Sequence, residues 1–589
     1  MAKQRKYSFT PSEYQLKFFD WIEHGIGNAV VSARAGSGKT STCVEALKII
    51  PSKEKALFIA FNKSIAGELS ERLKSKKNTR ASTLHSLGLS IFRGSFGNNF
   101  ELDEYKYRKY LKSHISELTT KAEEIDTTNK LNDYINTITM LIDYSRHNLA
   151  QSVDEIDYVS KKYGIPTFFD ECVVTKKCLD WGKENVETID YPDMIWLPVE
   201  LGLKPTGHTY DWVFFDEAQD ASLCMIQLFL KTIKRGGRYV AIGDEKQMIN
   251  VWAGASEEAF KFLQDYPNTT LFTLPITYRC GKKIVEYANS LVPDIYAKDD
   301  AIDGEVIDDC KITDFEDGDM VLCRSKAPLM QLYTKLLKKK INSYIKGQDI
   351  GKNLITILES VDNEQLNTDL DRDGVFVRLY EKLFNERNKL IQSRGLDYDD
   401  ATLSPYITEM YDTINALMIL GEKHKTKTKL IEQINKIFKE ESFGVCLSTV
   451  HKSKGLESDN VYIICHSSMP SRLAVLDWEK EQERNLMYVA YTRARKKLGF
   501  VSEKEIKPSG VGQNPMEIIN DLSIIERKVC KVLGKEPMER LENANLARFK
   551  LQNMTNVEDV HDSDNVVIDI ENNTYKDDDD LLSELEGLL

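Results

Sequence analysis

At 589 residues and 67.4 kDa, the chain exceeds the roughly 250 to 300 residues that one hydrophobic core can serve, so several domains are expected. Its residues are 41% hydrophobic and 29% charged, which excludes a mainly disordered chain. No run of about 18 apolar residues occurs, and the N-terminus lacks a secretory signal. We therefore expect no membrane contact and an intracellular protein, in the cytoplasm or nucleoid of a bacterium or in the host cytoplasm if a phage encodes it.

The net charge of -13 is concentrated near the C-terminus. Residues 556–589 contain twelve acidic residues and one basic residue, a balance of -11, which leaves residues 1–555 with 78 basic and 80 acidic residues, or -2. A nearly neutral body permits local basic grooves for nucleic acid. We interpret residues 556–589 as an acidic, disordered tail or, alternatively, as a docking segment for a partner protein.

Short apolar or β-branched runs alternate with helical segments along the chain. The runs are residues 29–31, 56–61, 212–215, 239–242, 320–323, 445–448 and 461–464. Runs of this length between turn residues suit buried parallel strands. Their alternation with helices predicts an α/β protein with two doubly wound parallel sheets.

Two stretches with helical spacing and no strand runs predict insertions in these sheets. We expect the first α/β domain at residues 1–95 and 206–280, its helical insertion at 96–205, the second α/β domain at 281–350 and 441–510, its helical insertion at 351–440, a C-terminal helical extension at 511–555 and the acidic tail at 556–589.

A phosphate-binding loop is predicted at residues 33–40, which read ARAGSGKT between an apolar run and a helix-capable segment. Small residues let backbone N–H groups close on phosphates, Lys39 neutralises the β and γ groups, and the Thr40 hydroxyl reaches Mg²⁺. The residues assigned to ATP are Ala33, Arg34, Ala35, Gly36, Ser37, Gly38, Lys39, Thr40 and Ser41. Ala33 stands where the general pattern has Gly, and the loop alone predicts only nucleotide binding.

The other half of the nucleotide site is predicted where the apolar run of WVFFDEAQD ends in two carboxylates. A carboxylate at the carboxyl end of a strand can hold Mg²⁺, and its neighbour can orient or deprotonate the attacking water. We assign Asp216 to Mg²⁺ and Glu217 to the water. ATP and Mg²⁺ are thus the expected ligands.

Five segments then follow in a fixed order. They are DEAQD (216–220), GDEKQMINVWAGA (243–255), LPITYRC (274–280), STVHKSKGLE (448–457) and MYVAYTRARKKL (487–498). Together they closely resemble the UvrD/Rep/PcrA branch of superfamily-one DNA helicases over most of residues 10–500. The resemblance implies that the two α/β domains are RecA-like motor domains, each interrupted by its mainly helical insertion.

The resemblance also implies roles at the nucleotide. Gln15 would read the adenine edge, Tyr278 would stack on the base, and Glu457 would hold the ribose. Gln247 would sense the γ-phosphate, and Arg279 and Arg493 would be arginine fingers that both engage only when the two domains close. The predicted catalytic set is Lys39, Glu217, Gln247, Arg279 and Arg493.

For the nucleic-acid strand, the resemblance implies contacts along both domains. These residues are Phe61, Asn62, Thr83 and His85 in the first domain, Trp252 as the base-stacking residue, and Thr449 and His451 in the second domain. Aromatic stacking tolerates any base sequence, as a motor requires. The chain departs from the family pattern at Asn250, Ala253 and Ser458, which concerns coupling and unwinding rather than ATP hydrolysis.

The function predicted from this resemblance is that of an ATP-dependent DNA helicase. It would act as a monomer on single-stranded and forked DNA, translocate 3′ to 5′, and unwind duplex DNA in replication, repair or recombination. Two alternatives stay open, namely a single-strand translocase that mainly displaces bound proteins, and a nucleotide-gated nucleic-acid-binding scaffold.

Overall fold

The structure is a computed structural model. It describes residues 7–119, 128–249, 254, 257–438, 443–474, 477–508 and 512–538. The predicted acidic tail and residues 539–555 of the predicted C-terminal extension lie outside the described residues.

The N-terminal half alternates strands and helices, apart from one helical stretch. Its elements are α1 (Glu13–His24), β1 (Asn28–Ala33), α2 (Lys39–Ile49), β2 (Ala56–Ile59), α3 (Lys63–Arg72), β3 (Thr79–Ser82), α4 (Leu84–Phe96), β4 (Glu101–Leu102), α5 (Lys106–Leu118), α6 (Thr128–Asn148), α7 (Val153–Lys162), α8 (Phe169–Glu184), β5 (Thr188–Ile189), α9 (Asp193–Glu200), β6 (Tyr210–Asp216), α10 (Leu223–Lys231), β7 (Ile233–Gly243), α11 (Glu257–Asp265), β8 (Thr269–Leu274) and β9 (Ile276–Thr277).

Six of these strands form a parallel sheet in the spatial order β3-β2-β6-β7-β1-β8. Val31 of β1 pairs with Ile242 on one side and with Phe272 on the other. Alternate residues of a strand point to opposite faces, and so Val30 and Val31 are buried in two different apolar clusters. Both faces of this sheet are therefore covered, as a doubly wound fold requires.

The C-terminal half repeats the pattern. Its elements are α12 (Lys282–Ala288), β10 (Tyr296–Ala297), β11 (Glu305–Cys310), β12 (Met320–Cys323), α13 (Lys326–Lys338), β13 (Ser343–Ile345), α14 (Gln348–Glu359), α15 (Val375–Arg394), α16 (Tyr398–Leu403), α17 (Pro405–Gly421), α18 (Lys427–Ile437), β14 (Val445–Thr449), β15 (Ser458–Ile463), α19 (Asp477–Tyr491), β16 (Ala494–Val501) and α20 (Pro515–Leu533). Six strands form a second parallel sheet in the order β11-β16-β15-β12-β14-β13. The predicted class of two parallel-sheet α/β domains is confirmed.

The helices between β13 and β14 pack firmly on the second sheet. The apolar residues of α15 and α17 belong to the same buried cluster as Val321 of β12 and Leu447 of β14. A buried ion pair also joins this stretch to the last described helix, because Arg387 of α15 lies 2.7 Å from Glu526 of α20. This helical stretch is thus a built-in part of the second α/β domain.

Helix α15 also contacts the helical stretch of the first half. Lys389 lies 2.5 Å from Glu171 of α8, and Arg394 lies 3.0 Å from Asp157 of α7. These contacts connect the two halves of the chain away from the sheets. No helix among the described residues has the length and apolarity needed to cross a membrane.

Candidate functional site

The carboxyl ends of three neighbouring strands meet at one edge of the first sheet. Because β6, β7 and β1 are adjacent, their last residues, Asp216, Gly243 and Ala33, lie side by side. In doubly wound sheets ligands bind at this edge. The fold thus assembles the phosphate loop and the two carboxylates that the sequence separates by about 180 positions.

The phosphate loop has a backbone that only glycine fits at its centre. Gly36 has a φ of +71°, and a Cβ there would lie 2.6 Å from both Thr277 Oγ1 and Arg279 Cβ. The loop ends at the N-terminus of α2, whose first N–H groups suit an anion. Ala33, Ala35 and Ser37 are buried, and the Ser37 hydroxyl has no hydrogen-bond partner among the described residues, which fits a ligand oxygen.

Lys39 begins α2 and points toward the carboxylates. Its Nζ lies 3.3 Å from Glu217 Oε2, and its side chain is largely buried. Burial lowers the pKa of Lys39, but Glu217, Asp244 and Asp216 outweigh burial and raise it. Lys39 therefore stays cationic, as its predicted contact with phosphate would require.

Thr40 and Asp216 form a pair that fits a divalent cation. The Thr40 hydroxyl donates a 3.0 Å hydrogen bond to Asp216 Oδ2. Burial and the neighbouring Glu217 raise the pKa of Asp216 to about 6. A buried carboxylate whose charge is incompletely neutralised beside a hydroxyl is the oxygen donor set that Mg²⁺ prefers.

Glu217 is held in an unusual backbone conformation. Its φ is +54°, in the left-handed region where a residue with a β-carbon is strained, and such strain clusters at functional sites. Gln219 donates a 2.8 Å hydrogen bond to its Oε2. Burial would raise the pKa of Glu217, but Lys39 and Lys454 outweigh burial and lower it to about 2. The carboxylate is therefore ionised at neutral pH and can accept hydrogen bonds from a water.

Gln247 and Arg493 meet across the cleft between the two α/β domains. Gln247 Nε2 donates to Asp244 Oδ2 at 2.7 Å, and its Oε1 accepts from Arg493 at 3.2 Å. Arg493 is 1% exposed and also donates to the Leu456 carbonyl. Burial and the nearby Arg279 lower the pKa of Arg493 to about 10, so the guanidinium remains charged at neutral pH.

Arg279 and Glu457 contact each other in this structure. Arg279 Nε lies 2.5 Å from Glu457 Oε2, and a second arginine, Arg495, pairs with the other carboxylate oxygen. Arg279 also donates to the Thr492 carbonyl at 3.2 Å. The predicted ribose contact of Glu457 would require these ion pairs to rearrange, and it stays a prediction.

The predicted adenine residues lie together at the start of α1. Gln15 is buried, its Oε1 accepts from the Ser12 N–H in a capping box, and its Nε2 donates to Thr42 Oγ1 at 2.8 Å. The Tyr278 hydroxyl donates to Gln15 Oε1 at 3.3 Å, while the Tyr278 side chain stays 42% exposed. An exposed ring beside a buried amide suits base stacking with edge recognition.

Two further residues of the predicted loop set have side chains directed elsewhere. The Arg34 guanidinium contacts three carboxylates, those of Asp244, Glu245 and Asp294. The Ser41 hydroxyl accepts a 3.4 Å hydrogen bond from Arg72. Any contact that Arg34 makes with ATP in this arrangement would come from its backbone.

The first-domain residues predicted to contact the nucleic-acid strand follow the carboxyl ends of β2 and β3, which are neighbours in the sheet. Phe61 is 57% exposed. Asn62 and Thr83 cap helices, because their side chains accept from the N–H groups of Ile65 and Ser86 at 2.9 and 3.2 Å. Contacts of these two side chains with a nucleic-acid strand must therefore coexist with helix capping. His85 lies in the first turn of α4, where burial lowers its pKa.

The second-domain residues predicted to contact the nucleic-acid strand lie at the carboxyl end of β14. Thr449 is the last residue of this strand, and His451 follows it. The pKa of His451 is well below its usual range because of burial and because Arg324 and Lys326 lie close by. Trp252, Asn250 and Ala253 lie outside the described residues.

The structure brings in contacts across the cleft that the sequence does not reveal. Lys454 Nζ lies 2.6 Å from Asp220 Oδ2 and 2.6 Å from the Gln247 carbonyl oxygen. The Ala35 N–H donates to the Tyr488 hydroxyl at 2.9 Å. Lys454 and Tyr488 both stand inside quoted motifs, but motif letters do not identify partners more than 200 residues away.

Two family models match parts of this chain. Residues 19–267 match the model of the UvrD/REP helicase N-terminal domain, and residues 373–505 match the UvrD-like helicase C-terminal domain.

Three curated relatives illustrate the similarity. The ATP-dependent DNA helicase Rep of Escherichia coli is 23% identical over 90% of this chain and 97% of its own length. The ATP-dependent DNA helicase PcrA of Bacillus subtilis is 25% identical over 45% of this chain and 37% of its own. The F-box DNA helicase protein 1 of Schizosaccharomyces pombe is 26% identical over 80% of this chain, which spans 55% of that protein.

Proposed function

Because this chain belongs to the UvrD/Rep family of helicases, we propose that it is an ATP-dependent motor that moves along single-stranded DNA and unwinds duplex DNA. The observation that carries this proposal is a cluster of charged side chains with two walls, which we interpret as the nucleotide site. Lys39, Asp216 and Glu217 line the first, and Arg493 and Lys454 reach it from the second. A site divided between two domains can convert phosphate chemistry into relative movement.

At the nucleotide, each side chain has one task. Lys39 and the loop N–H groups bind the β- and γ-phosphates, and Glu217 orients the attacking water. Thr40 and Asp216 would hold Mg²⁺, which when bound neutralises charge on the phosphate oxygens. Arg493 supplies a cation on the opposite side, where negative charge shifts during phosphoryl transfer.

Nucleotide binding changes the relation of the two domains because the phosphates contact both walls only when the cleft is closed. This difference in contacts provides the differential affinity that a population shift requires. Gln247 takes part in the signal, since it hydrogen-bonds Asp244 of its own domain and Arg493 of the other. Loss of the γ-phosphate would release Arg493 and let the cleft open.

The single-stranded DNA would pass over the carboxyl ends of both sheets. Phe61, Asn62, Thr83 and His85 line this edge in the first domain, and Thr449 and His451 in the second. One closing and opening cycle then shifts one strand-binding surface relative to the other. We propose 3′ to 5′ movement on single-stranded or forked DNA by a monomer, with a role in replication, repair or recombination.

Unwinding of duplexes with a 3′ or a 5′ single-stranded overhang, in DNA and in RNA versions, tests this proposal. We expect ATP-dependent unwinding of the DNA duplex with the 3′ overhang, and Lys39→Ala should abolish strand-stimulated ATP hydrolysis because the phosphates lose their cation. Normal turnover by Lys39→Ala would overturn the assignment. Protein displacement without unwinding would instead support the translocase alternative.

A further inference from the structure

Arg34 of the phosphate loop is buried among carboxylates. Its side chain is 8% exposed, and its NH1 donates to Asp244 Oδ1 at 2.9 Å and to Glu245 Oε1 at 3.0 Å. Its Nε and NH2 donate to the two oxygens of Asp294 at 2.9 and 2.6 Å. The bidentate geometry with Asp294 is the strongest form of an arginine–carboxylate contact.

The three carboxylates belong to different parts of the fold. Asp244 and Glu245 directly follow β7 in the first α/β domain, and Glu245 also accepts a 2.5 Å hydrogen bond from Ser32. Asp294 lies in the turn between α12 and β10. Val292 and Ile295 on either side of it are buried in the apolar cluster of the second sheet. Arg34 therefore joins the phosphate loop to the second domain.

Other polar contacts also join the two sides of the cleft in this structure. Lys454 pairs with Asp220, and the Tyr488 hydroxyl accepts from the Ala35 N–H, one residue after Arg34. Lys246 lies 2.5 Å from Glu481 of α19. Arg34 and Asp294 contribute the bidentate ion pair of this set, directly beside the loop that binds phosphate.

We propose that Arg34 is a positioning residue that, through Asp294, holds the phosphate loop against the second domain and favours the closed cleft. It acts on ATP binding through the equilibrium between open and closed arrangements, because its guanidinium is occupied by carboxylates. This inference rests on the proposed function, from which it takes ATP binding at the phosphate loop and the open and closed arrangements of the cleft.

Asp294→Asn removes the charge from the second-domain end of the tether and leaves Asp244 and Glu245 in place. Since apparent affinity scales with the closed fraction, the KM for ATP should rise about 3- to 10-fold. At saturating ATP the bound nucleotide itself closes the cleft, so kcat should stay within about twofold. The increase in KM should shrink at high salt, because Asp294 is half exposed and salt screens its charge.

Asp373→Asn is the matched control. Asp373 forms the same kind of bidentate pair with Arg378, at 2.9 and 2.7 Å, and its side chain is 44% exposed against 50% for Asp294. Arg378 is more exposed than Arg34, and both control residues lie on one side of the cleft. This variant should leave the KM for ATP unchanged. Asp294→Glu, which retains the charge, should recover at least half of the loss.

A double-mutant cycle makes the assignment specific. Arg34→Met should also raise the KM for ATP. Adding Asp294→Asn to it should have no further effect on KM, because the ion pair between the two residues is already lost. Thermal unfolding identifies any variant that fails to fold, and then the two Asp294 substitutions decide. A KM for Asp294→Asn equal to that of Asp373→Asn, or additive effects in the cycle, would overturn the tether. Active Lys39→Ala would instead overturn the proposed function, so the two failures are distinguishable.

Discussion

Lys454→Ala is the substitution for which the structure permits the most detailed prediction. The side chain crosses the cleft and ends in three close contacts, to both oxygens of Asp220 at 2.8 and 2.6 Å and to the Gln247 carbonyl at 2.6 Å. The lysine side chain is 15% exposed and that of Asp220 is 3% exposed. The pair is thus desolvated, and salt screens it little.

The magnitude follows from this burial. Truncating one partner of a buried, hydrogen-bonded charge pair costs about 2 to 5 kcal/mol. At about 1.4 kcal/mol per factor of ten, the lower value reduces the ratio of closed to open molecules about 30-fold. At this lower value of the free energy, the KM for ATP should increase by up to about 30-fold. Glu217 loses one of the cations that lower its pKa, but Lys39 remains, so Glu217 stays ionised and kcat should change by less than about threefold.

Steady-state ATP hydrolysis at saturating single-stranded DNA, titrated with ATP, measures both constants. Lys74→Ala is the control, because Lys74 pairs with Glu71 at 2.8 Å while both side chains are more than 70% exposed, and exposed pairs contribute little. A KM for Lys454→Ala within twofold of that of Lys74→Ala would refute the reasoning. A large fall in kcat with unchanged KM would place Lys454 in the chemical step instead.

Two further predictions concern pH and stability. Because the pKa of Asp216 is raised to about 6, the carboxylate takes up a proton as the pH falls through that value. The Mg²⁺ concentration for half-maximal hydrolysis should therefore be about tenfold higher at pH 5 than at pH 8. An equal Mg²⁺ concentration at both pH values would contradict the assignment of Mg²⁺ to this residue. Glu526→Ala leaves Arg387 buried without its carboxylate, and the free energy of unfolding in urea should fall by about 3 to 5 kcal/mol. A change below about 1 kcal/mol, as expected for the exposed pair of Lys74, would show that this contact does not anchor the second insertion.

The anchored second insertion bears on how the motor moves. A shared apolar cluster ties the helices between β13 and β14 to the second sheet, and the Arg387–Glu526 pair ties α15 to α20. These helices and the second sheet should therefore move as one body. Helix α15 also pairs with Glu171 and Asp157 of the first half. Opening of the cleft by a rigid second half would therefore strain these ion pairs as well as those that cross the cleft at the proposed nucleotide site.

Much of the fold was predictable because its signals are local. The runs 29–31, 212–215 and 320–323 each became a strand of a parallel sheet, since short β-branched and apolar runs between turn residues suit strands that are buried on both faces. The strand order was not predictable. It depends on which strands pack together, and it alone brings Asp216 to the phosphate loop.

The candidate site divides in the same way. The sequence by itself determined that the chain has a phosphate loop, two carboxylates at a strand end and an ordered set of helicase motifs, because each depends on residue types at short spacing. Only the tertiary structure decided that Arg34 faces Asp294 and that Lys454 faces Asp220, which are 260 and 234 positions apart. The physical reason is that charge pairing depends on distance in space and on burial, and a basic residue in a sequence with 92 acidic residues carries no mark of its partner.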